Sequence, residues 1–375
     1  MKKVLFLTAF VPNFSGAAEK NTVLLLEDLS KKFKVDLLYF KAPTEKEYVP
    51  DNSNIKVLNS CNITLVRKIW NVLSFPILHP LFTVKFDKKI LAFLKQQVKF
   101  NKYEAIVCEH SQMLLYAKYL DAQIPKLLYS HDVIVQRVGR TSSKFTTWLC
   151  RKSENFCLKT PNSTCYSVSQ KDCDIIKKEY GILAYPCLAY VSPLVVNAKP
   201  IAVENQFVFI GKWSRADNLD GVIYFFDKVV PLIKEDIKVS IIGKDFPTER
   251  ICNNNHHVKL EVLGFVDNPY AIIANSRALL APLFTGAGTK QKVFESLACG
   301  TPVIGTDIAF EGINTKFCKY MILCNEPQDF ANALLDVDFP IGERLDLKTQ
   351  FIASYHSKTL PEYIEEILKR TCKKI

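Results

Sequence analysis

Three kinds of side chain able to do chemistry fall within one short run of the sequence: Gly286 and Gly288, Lys290 and Lys292, then Glu295. Glycine lacks a Cβ and lets the backbone approach a ligand closely. A glycine loop that feeds a helix N-terminus is an anion site, because free N–H groups and the helix dipole both point at the ligand. Lys290 and Lys292 add positive charge there. Glu295 follows about a turn and a half into the helix, where a carboxylate accepts hydrogen bonds from sugar hydroxyls. Phosphate at the helix tip and a diol beside Glu295 together describe a nucleotide sugar. The same residues also fit a plain turn and a solvated helix face, and their spacing leaves both readings open.

Other reactive residues stand at the ends of apolar runs. Lys126 to Tyr129 leads directly into Ser130-His131-Asp132, and the carboxyl end of a parallel strand is where chemistry gathers in α/β sheets. A lone histidine at such a place is as readily structural as catalytic. Glu109-His110, after the preceding run, is a weaker version of the same signal. Gly16 sits where the first strand meets the first helix, with no G-x-G-x-x-G around it, so a dinucleotide cofactor is not expected. Asp336-Val337-Asp338 has the form that holds a metal on a diphosphate, but it ends a C-terminal helix and reads as a helix terminus. The twelve cysteines form no C-x-x-C pair, and no histidine lies among Cys150, Cys157, Cys165 and Cys173. No metal site is expected, and reduced cysteines point to the cytosol.

The elements that position these residues follow from periodicity and punctuation. Thr289 is placed to cap a helix carrying Val293, Phe294, Leu297 and Ala298; Gly300 and Pro302 end it, and Val303-Ile304 starts a strand. At the start of the chain, Val4 to Ala9, a loop, an amphipathic helix over 20–32 and Val35 to Phe40 make an opening βαβ unit. Strands follow at 105–108, 126–129 and 164–168, the last leading into a helix capped by Ser169. Prolines 186, 193 and 200 mark a linker over 185–205. The design then restarts with a strand at 206–210 before Gly211, a helix over 218–230, strands at 237–242 and 258–262, a short helix at 271–275 and a strand at 278–282. Helices over 328–335 and 361–370 complete the chain. The expected architecture is α/β: two Rossmann-like, doubly wound parallel-sheet domains, 1–192 and 193–357, facing a cleft. A C-terminal helix at about 358–375 packs back on the first domain.

At 375 residues the chain is long enough for two such cores. A net charge of +11 calls for an anionic partner. No nucleic-acid motif is present, and the aromatics are not interleaved with a basic patch, so nucleic acid is not expected. Over 64–102, Arg67, Lys68, Lys85, Lys88, Lys89, Lys95, Lys99 and Lys102 face only Asp87, with Ile69, Trp70, Leu73, Phe75, Ile77, Leu78, Leu81 and Phe82 among them. That mixture reads either as a surface lying on anionic lipid or as a helix whose apolar side is core. The apolar run at the N-terminus is short and reads as a buried strand rather than a signal peptide. No stretch is long and apolar enough to span a membrane. The expected location is cytoplasmic, peripheral on the inner face of the membrane.

The segment GAGTKQKVFESLACGTPVIGTDIAFEG, with FVFIGKWSRADN, VLFLTAFVPNFSGAAEK and LLYSHD in support, resembles glycosyltransferase family 4. The resemblance spans nearly the full length. It implies the GT-B arrangement and a glycosyltransferase of hexosyltransferase type that retains anomeric configuration, without a metal or cofactor. The donor implied is a UDP-sugar, with a GDP-sugar as the alternative, and the acceptor a glycan or lipid-linked molecule in bacterial surface polysaccharide assembly, whether O-antigen, lipopolysaccharide or capsule. By position, Glu295 resembles the glutamate that holds the donor ribose. Gly286, Ala287, Gly288, Thr289, Lys290 and Lys292 resemble the diphosphate cradle. Gly264, Phe265 and Val266 resemble the segment framing the base, Gly16 the glycine admitting phosphate or acceptor, and His131 the histidine on the transferred sugar. Where the family often has a glutamate touching the sugar, this chain has Ala287. The basic pair expected after Gly211 appears as Lys212 and Asp217, with Arg215 between them. A GT-B sugar-nucleotide epimerase and a non-catalytic nucleotide-sugar binder stay open as alternatives.

Overall fold

A computed structural model describes residues 1–14, 17–187, 190–286, 288–355 and 358–372. Gly16 and Ala287 lie outside the described residues. The chain divides into two compact units, Met1–Tyr190 with Ser357–Ile375, and Val191–His356.

The first unit is built on seven parallel strands: β1 (Lys3–Thr8), β2 (Lys34–Phe40), β3 (Ile55–Cys61), β4 (Ala105–Glu109), β5 (Lys126–Ser130), β6 (Ser163–Ser167) and β7 (Ala184–Pro186). They lie in the order β3-β2-β1-β4-β5-β6-β7. Val4, Leu5, Phe6 and Leu7 have no exposed surface, as near-continuous apolar strands require when helices cover both faces of a parallel sheet. The helix Ala17–Lys32 follows β1, and Leu360–Cys372 packs beside it through Lys32 and Glu365 at 3.0 Å. Leu360 and Ile364 are buried in the same core.

The second unit has six parallel strands: β8 (Glu204–Ile210), β9 (Ile237–Ile242), β10 (Val258–Gly264), β11 (Ser276–Ala281), β12 (Val303–Gly305) and β13 (Met321–Leu323), ordered β10-β9-β8-β11-β12-β13. Each sheet reverses its winding at one pair of neighbours, β1 with β4 and β8 with β11. At such a reversal the loops leaving the carboxyl ends of neighbouring strands run to opposite faces of the sheet, the usual place for a ligand in this class of sheet. Glu109 ends β4, and the loop carrying Gly286 to Lys290 follows β11. The expected helix over 218–230 is regular only over Ala216–Tyr224; it passes into a π-helical turn, Phe225–Val229, and a 3₁₀ turn that holds Pro231.

The helix Gln291–Ala298 is held firmly at its far end. Thr301 N donates to Ser296 O at 2.9 Å and Gly300 N to Leu297 O at 2.9 Å, the paired bonds of a Schellman cap with Gly300 left-handed at φ 83. A Cβ on Gly300 would collide with the carbonyl oxygen of Arg344. The Arg344 guanidinium, wholly buried, donates to Gly300 O, Ala274 O, Ser276 O and Thr301 Oγ1. It joins the carboxyl end of this helix to the foot of β11.

Candidate functional site

In the second unit, Gly286 (φ 117) and Gly288 (φ 69) shape the loop after β11 with backbone angles that side chains disfavour. Lys290, not Thr289, takes the N-cap position of Gln291–Ala298, and its side chain makes no capping hydrogen bond. The expectation of a Thr289 cap is therefore corrected. Thr289 stands one residue outside the helix, and its Oγ1 is buried with no hydrogen-bond partner among the described residues. Among the described residues the N-cap side chain makes no bond to the N–H groups that open the helix, the condition an anion ligand exploits.

The loop's cations are fixed by neighbours. Lys290 Nζ donates to Gly288 O at 2.8 Å and lies 3.5 Å from Glu311 Oε2. A Cβ on Gly286 would press on the Lys290 side chain at 3.3 Å. Lys292 Nζ donates to Asn218 Oδ1 at 2.7 Å, and Asn218 Nδ2 donates to Lys212 O at 3.1 Å. Asn218 thereby ties the Gly211 loop to the glycine loop, and Gly211 leaves room for it, since a Cβ there would meet Asn218 Cγ at 3.1 Å. Burial pushes the Lys292 ammonium down to about 8; Asp217 works against that, while Arg215 and Lys290 add to it. Arg215 grips Asp217 with two bonds, at 3.0 and 2.7 Å. Burial opposes ionisation of Asp217, yet Arg215 and Lys292 hold its carboxyl below the usual range. Lys212 is exposed.

Glu295 is only 8% exposed. Gln291 Nε2 donates to its Oε1 at 3.1 Å, and the Tyr270 hydroxyl bonds to the same carboxylate. Burial first, and then that carboxylate, push the Tyr270 phenol well above its ordinary value. Gly264 (φ 65) ends β10, Phe265 is 67% exposed and Val266 packs on the core. Asn218 and Tyr270 are the partners that sequence reasoning missed. Asn218 had a signal, one turn after the Gly211 loop; Tyr270 had none.

In the first unit, His131 Nε2 stands 2.8 Å from Glu109 Oε1, which also accepts from Thr22 Oγ1 at 2.7 Å. Asn21 Nδ2 lies 3.2 Å from the Tyr129 hydroxyl and 3.5 Å from His131 Nδ1. Burial alone would raise the Glu109 pKa, but the hydrogen bond from His131 holds it below the usual carboxylate value. His110 is pushed down to about 3, by burial first and by His131 next, so its imidazole is neutral. Its ring centroid lies 4.7 Å from that of His131. Its backbone is strained at φ 68, ψ 144, a region nearly reserved for glycine and concentrated at functional sites. The structure thus joins His131 to Glu109 and His110, which the sequence marked only weakly, and adds Thr22 and Asn21 from the first helix.

Asp336 closes the helix Pro327–Asp336 and Val337 is its C-cap. Among the described residues no group of three or more His, Cys, Asp or Glu side chains is arranged to hold a metal ion.

Two doubly wound parallel sheets, each with a loop site at its winding reversal, define the GT-B fold class. Residues 204–337 match the family described as glycosyl transferases group 1. The matched domain and the fold mark the chain as a glycosyltransferase. Over 263 residues it is 23% identical to a Klebsiella pneumoniae protein described as an "uncharacterized 44.6 kDa protein in cps region", covering 64% of this chain and 67% of that one. Among solved structures it resembles WaaG, described as a glycosyltransferase involved in lipopolysaccharide biosynthesis, at TM-score 0.63 and 12% identity over 97% of this chain and 98% of that one. It also resembles Anabaena Alr3699/HepE in complex with UDP-glucose, at TM-score 0.64 and 13% identity over the whole of both chains.

Proposed function

We propose that this glycosyltransferase moves a sugar from a UDP-sugar to a glycan or lipid-linked acceptor, with retention of configuration, in the assembly of a surface polysaccharide. The observation that carries the reading is the cationic, glycine-lined entry to the helix Gln291–Ala298, with Glu295 recessed behind it. Support comes from the UDP-glucose complex of HepE, from the lipopolysaccharide role of WaaG and from the cps-region setting of the Klebsiella relative.

In this reading the donor diphosphate lies against the Gly286–Gly288 backbone and the helix N-terminus, with Lys290, Lys292, Lys212 and Arg215 around it. Glu295 accepts from the ribose hydroxyls, held in place by Gln291 and Tyr270. Gly264, Phe265 and Val266 frame the base. His131, oriented by Glu109, meets the transferred sugar. The bond between the anomeric carbon and the diphosphate oxygen breaks, and its electron pair stays with the nucleoside diphosphate. Fixed cations stabilise that charge as it develops. The acceptor oxygen bonds to the anomeric carbon, and its proton passes to the departing phosphate oxygen. Lys290 and Lys292 supply the charge this needs, so the assignment calls for no metal. We take the compartment to be the cytoplasm, in keeping with cysteines that form no disulfide among the described residues.

The test is incubation with a panel of UDP-, GDP- and ADP-sugars, following nucleotide release and the anomeric configuration of the product. Release of UDP with a retained product is expected. Formation of an epimerised nucleotide sugar, or tight binding with no turnover, would overturn the reading in favour of an epimerase or a simple binder.

A further inference from the structure

One helix of the first unit is turned inside out. Leu65–Leu73 buries the polar Asn71, whose Nδ2 donates to Val84 O at 3.3 Å, and ties Arg67 to Asp87 at 2.6 Å. Its large apolar residues Leu65, Val66, Ile69, Trp70 and Leu73 are instead between 54% and 74% exposed. At 3.6 residues per turn these five fall within an arc of about 140°, with Asn71 on the opposite side. Ile77, 78% exposed, and Leu81 extend the surface into the next turn. That turn, Pro80–Thr83, packs against both Leu65–Leu73 and the helix Lys144–Leu158. Near the start of the latter helix the exposed rings of Phe145 and Trp148 stack at 5.8 Å.

The segments that carry this face are strongly basic, although Arg137 pairs with Asp132 at 2.9 Å and Arg151 with Glu179 at 2.7 Å. Residues 64–102 carry eight Lys and Arg against the single Asp87, which Arg67 already occupies, and residues 133–152 carry five against none. Lysine is depleted in protein–protein interfaces, whereas basic residues flanking an amphipathic helix with an interfacial Trp are what an anionic bilayer attracts.

We propose that this face is a docking surface for an anionic lipid bilayer. The apolar arc of Leu65–Leu73 enters the boundary between headgroups and acyl chains, and the surrounding lysines meet lipid phosphates. Among the described residues no helix is long and apolar enough to cross a membrane, so the attachment is peripheral and reversible.

The test is co-sedimentation of the full chain with vesicles of phosphatidylcholine, alone or mixed with phosphatidylglycerol, without donor, so that its outcome is independent of the donor site. Binding is expected only to the anionic vesicles and should weaken in salt near 1 M, where screening acts within about 3 Å. The triple variant Leu65→Ser, Ile69→Ser, Leu73→Ser should bind about tenfold less or weaker still, with an unchanged melting temperature because all three side chains are exposed. Brominated lipids should quench fluorescence in the wild type and much less in Trp70→Phe. Binding that ignores the triple substitution, equal binding to neutral vesicles, or none at all overturns the proposal. So does a wild-type dimer that the triple variant splits in sedimentation velocity, since the face would then be covered by a second copy of the chain.

Discussion

His131 and Glu109 share a 2.8 Å contact in which the carboxylate is wholly buried and the imidazole is not. A buried acceptor that also holds Thr22 leaves His131 little freedom to turn, and with Nε2 donating to Glu109 the Nδ1 atom becomes an acceptor. Glu109 is a positioning residue in this reading. Glu109→Gln keeps the shape but loses the charge. It should cut kcat on the order of 10- to 100-fold with the donor KM little changed, as for other partners that orient a histidine. Steady-state kinetics with the folded fraction measured alongside check the split, and a loss of rate that matches the loss of folded protein would assign Glu109 to folding alone. Glu109→Ala should instead destabilise by about 1–3 kcal/mol, by leaving buried donors unpaired.

Acid sensitivity follows from the same cluster. The His110 pKa falls from its ordinary 6.5 to about 3 on folding, so between those values the unfolded chain binds a proton that the folded chain does not. Stability therefore drops as pH falls through that window. Glu109, also lowered, keeps its contribution above 4.5 and loses it only at more acid pH. His110→Phe retains an aromatic ring and removes the titration. Its urea-derived stability should vary less from pH 6.5 to 4.5, by up to about 1.4 kcal/mol per pH unit.

Donor binding should weaken in mild alkali. Burial pushes the Lys292 ammonium down to about 8, and a diphosphate favours its charged form. Binding at pH 8–9 should take up a proton, and affinity should fall as pH rises further. Calorimetry in buffers of different ionisation enthalpy measures the uptake. Lys292→Arg, charged throughout, should give a flat profile over the same range.

Glu295→Ala should abolish measurable donor binding by removing the acceptor for the ribose hydroxyls, whereas Lys290→Ala should lower turnover more than affinity. Isothermal titration and initial rates separate the two. Unchanged affinity in the first variant, or a change in KM alone in the second, would redirect those assignments.

Arg344 lies in the core of the donor unit rather than at the site. Replacing it with Met strands four buried acceptors and should cost roughly 3–5 kcal/mol, read as a large drop in the denaturation midpoint. Lys cannot reach all four oxygens, so Arg344→Lys should recover only part.

Much of this molecule was legible in its sequence. Long apolar strands such as Val4–Thr8 announce themselves, as do glycine loops at strand ends and the Ser169 cap, whose side chain accepts from Asp172 N. Other elements carried no readable pattern. β3 is a half-exposed edge strand, while β7 and β13 span three residues each, too few for a period to register. The residues around Pro186 read as linker, yet β7 pairs there with β6. Thr289 had the chemistry of a cap but not the position, because the two glycines carry the chain one residue further before it turns helical. Asn21, Thr22 and Tyr270 reach their partners across tens or hundreds of residues, a pairing fixed by topology and invisible to spacing.

Three of the cations assigned to the proposed donor site already have counterparts within the chain: Lys290 rests on Gly288 O and Glu311, Lys292 on Asn218, and Arg215 on Asp217. Filling this site is thus a swap of partners rather than an encounter with bare charge. A chloride ion offers too little to displace two carboxylates and two carbonyl oxygens, whereas a doubly charged diphosphate with many oxygens would do so at once. In the proposed reading the loop would act as a small ion exchanger, selective for polyvalent oxyanions before any base or sugar is recognised.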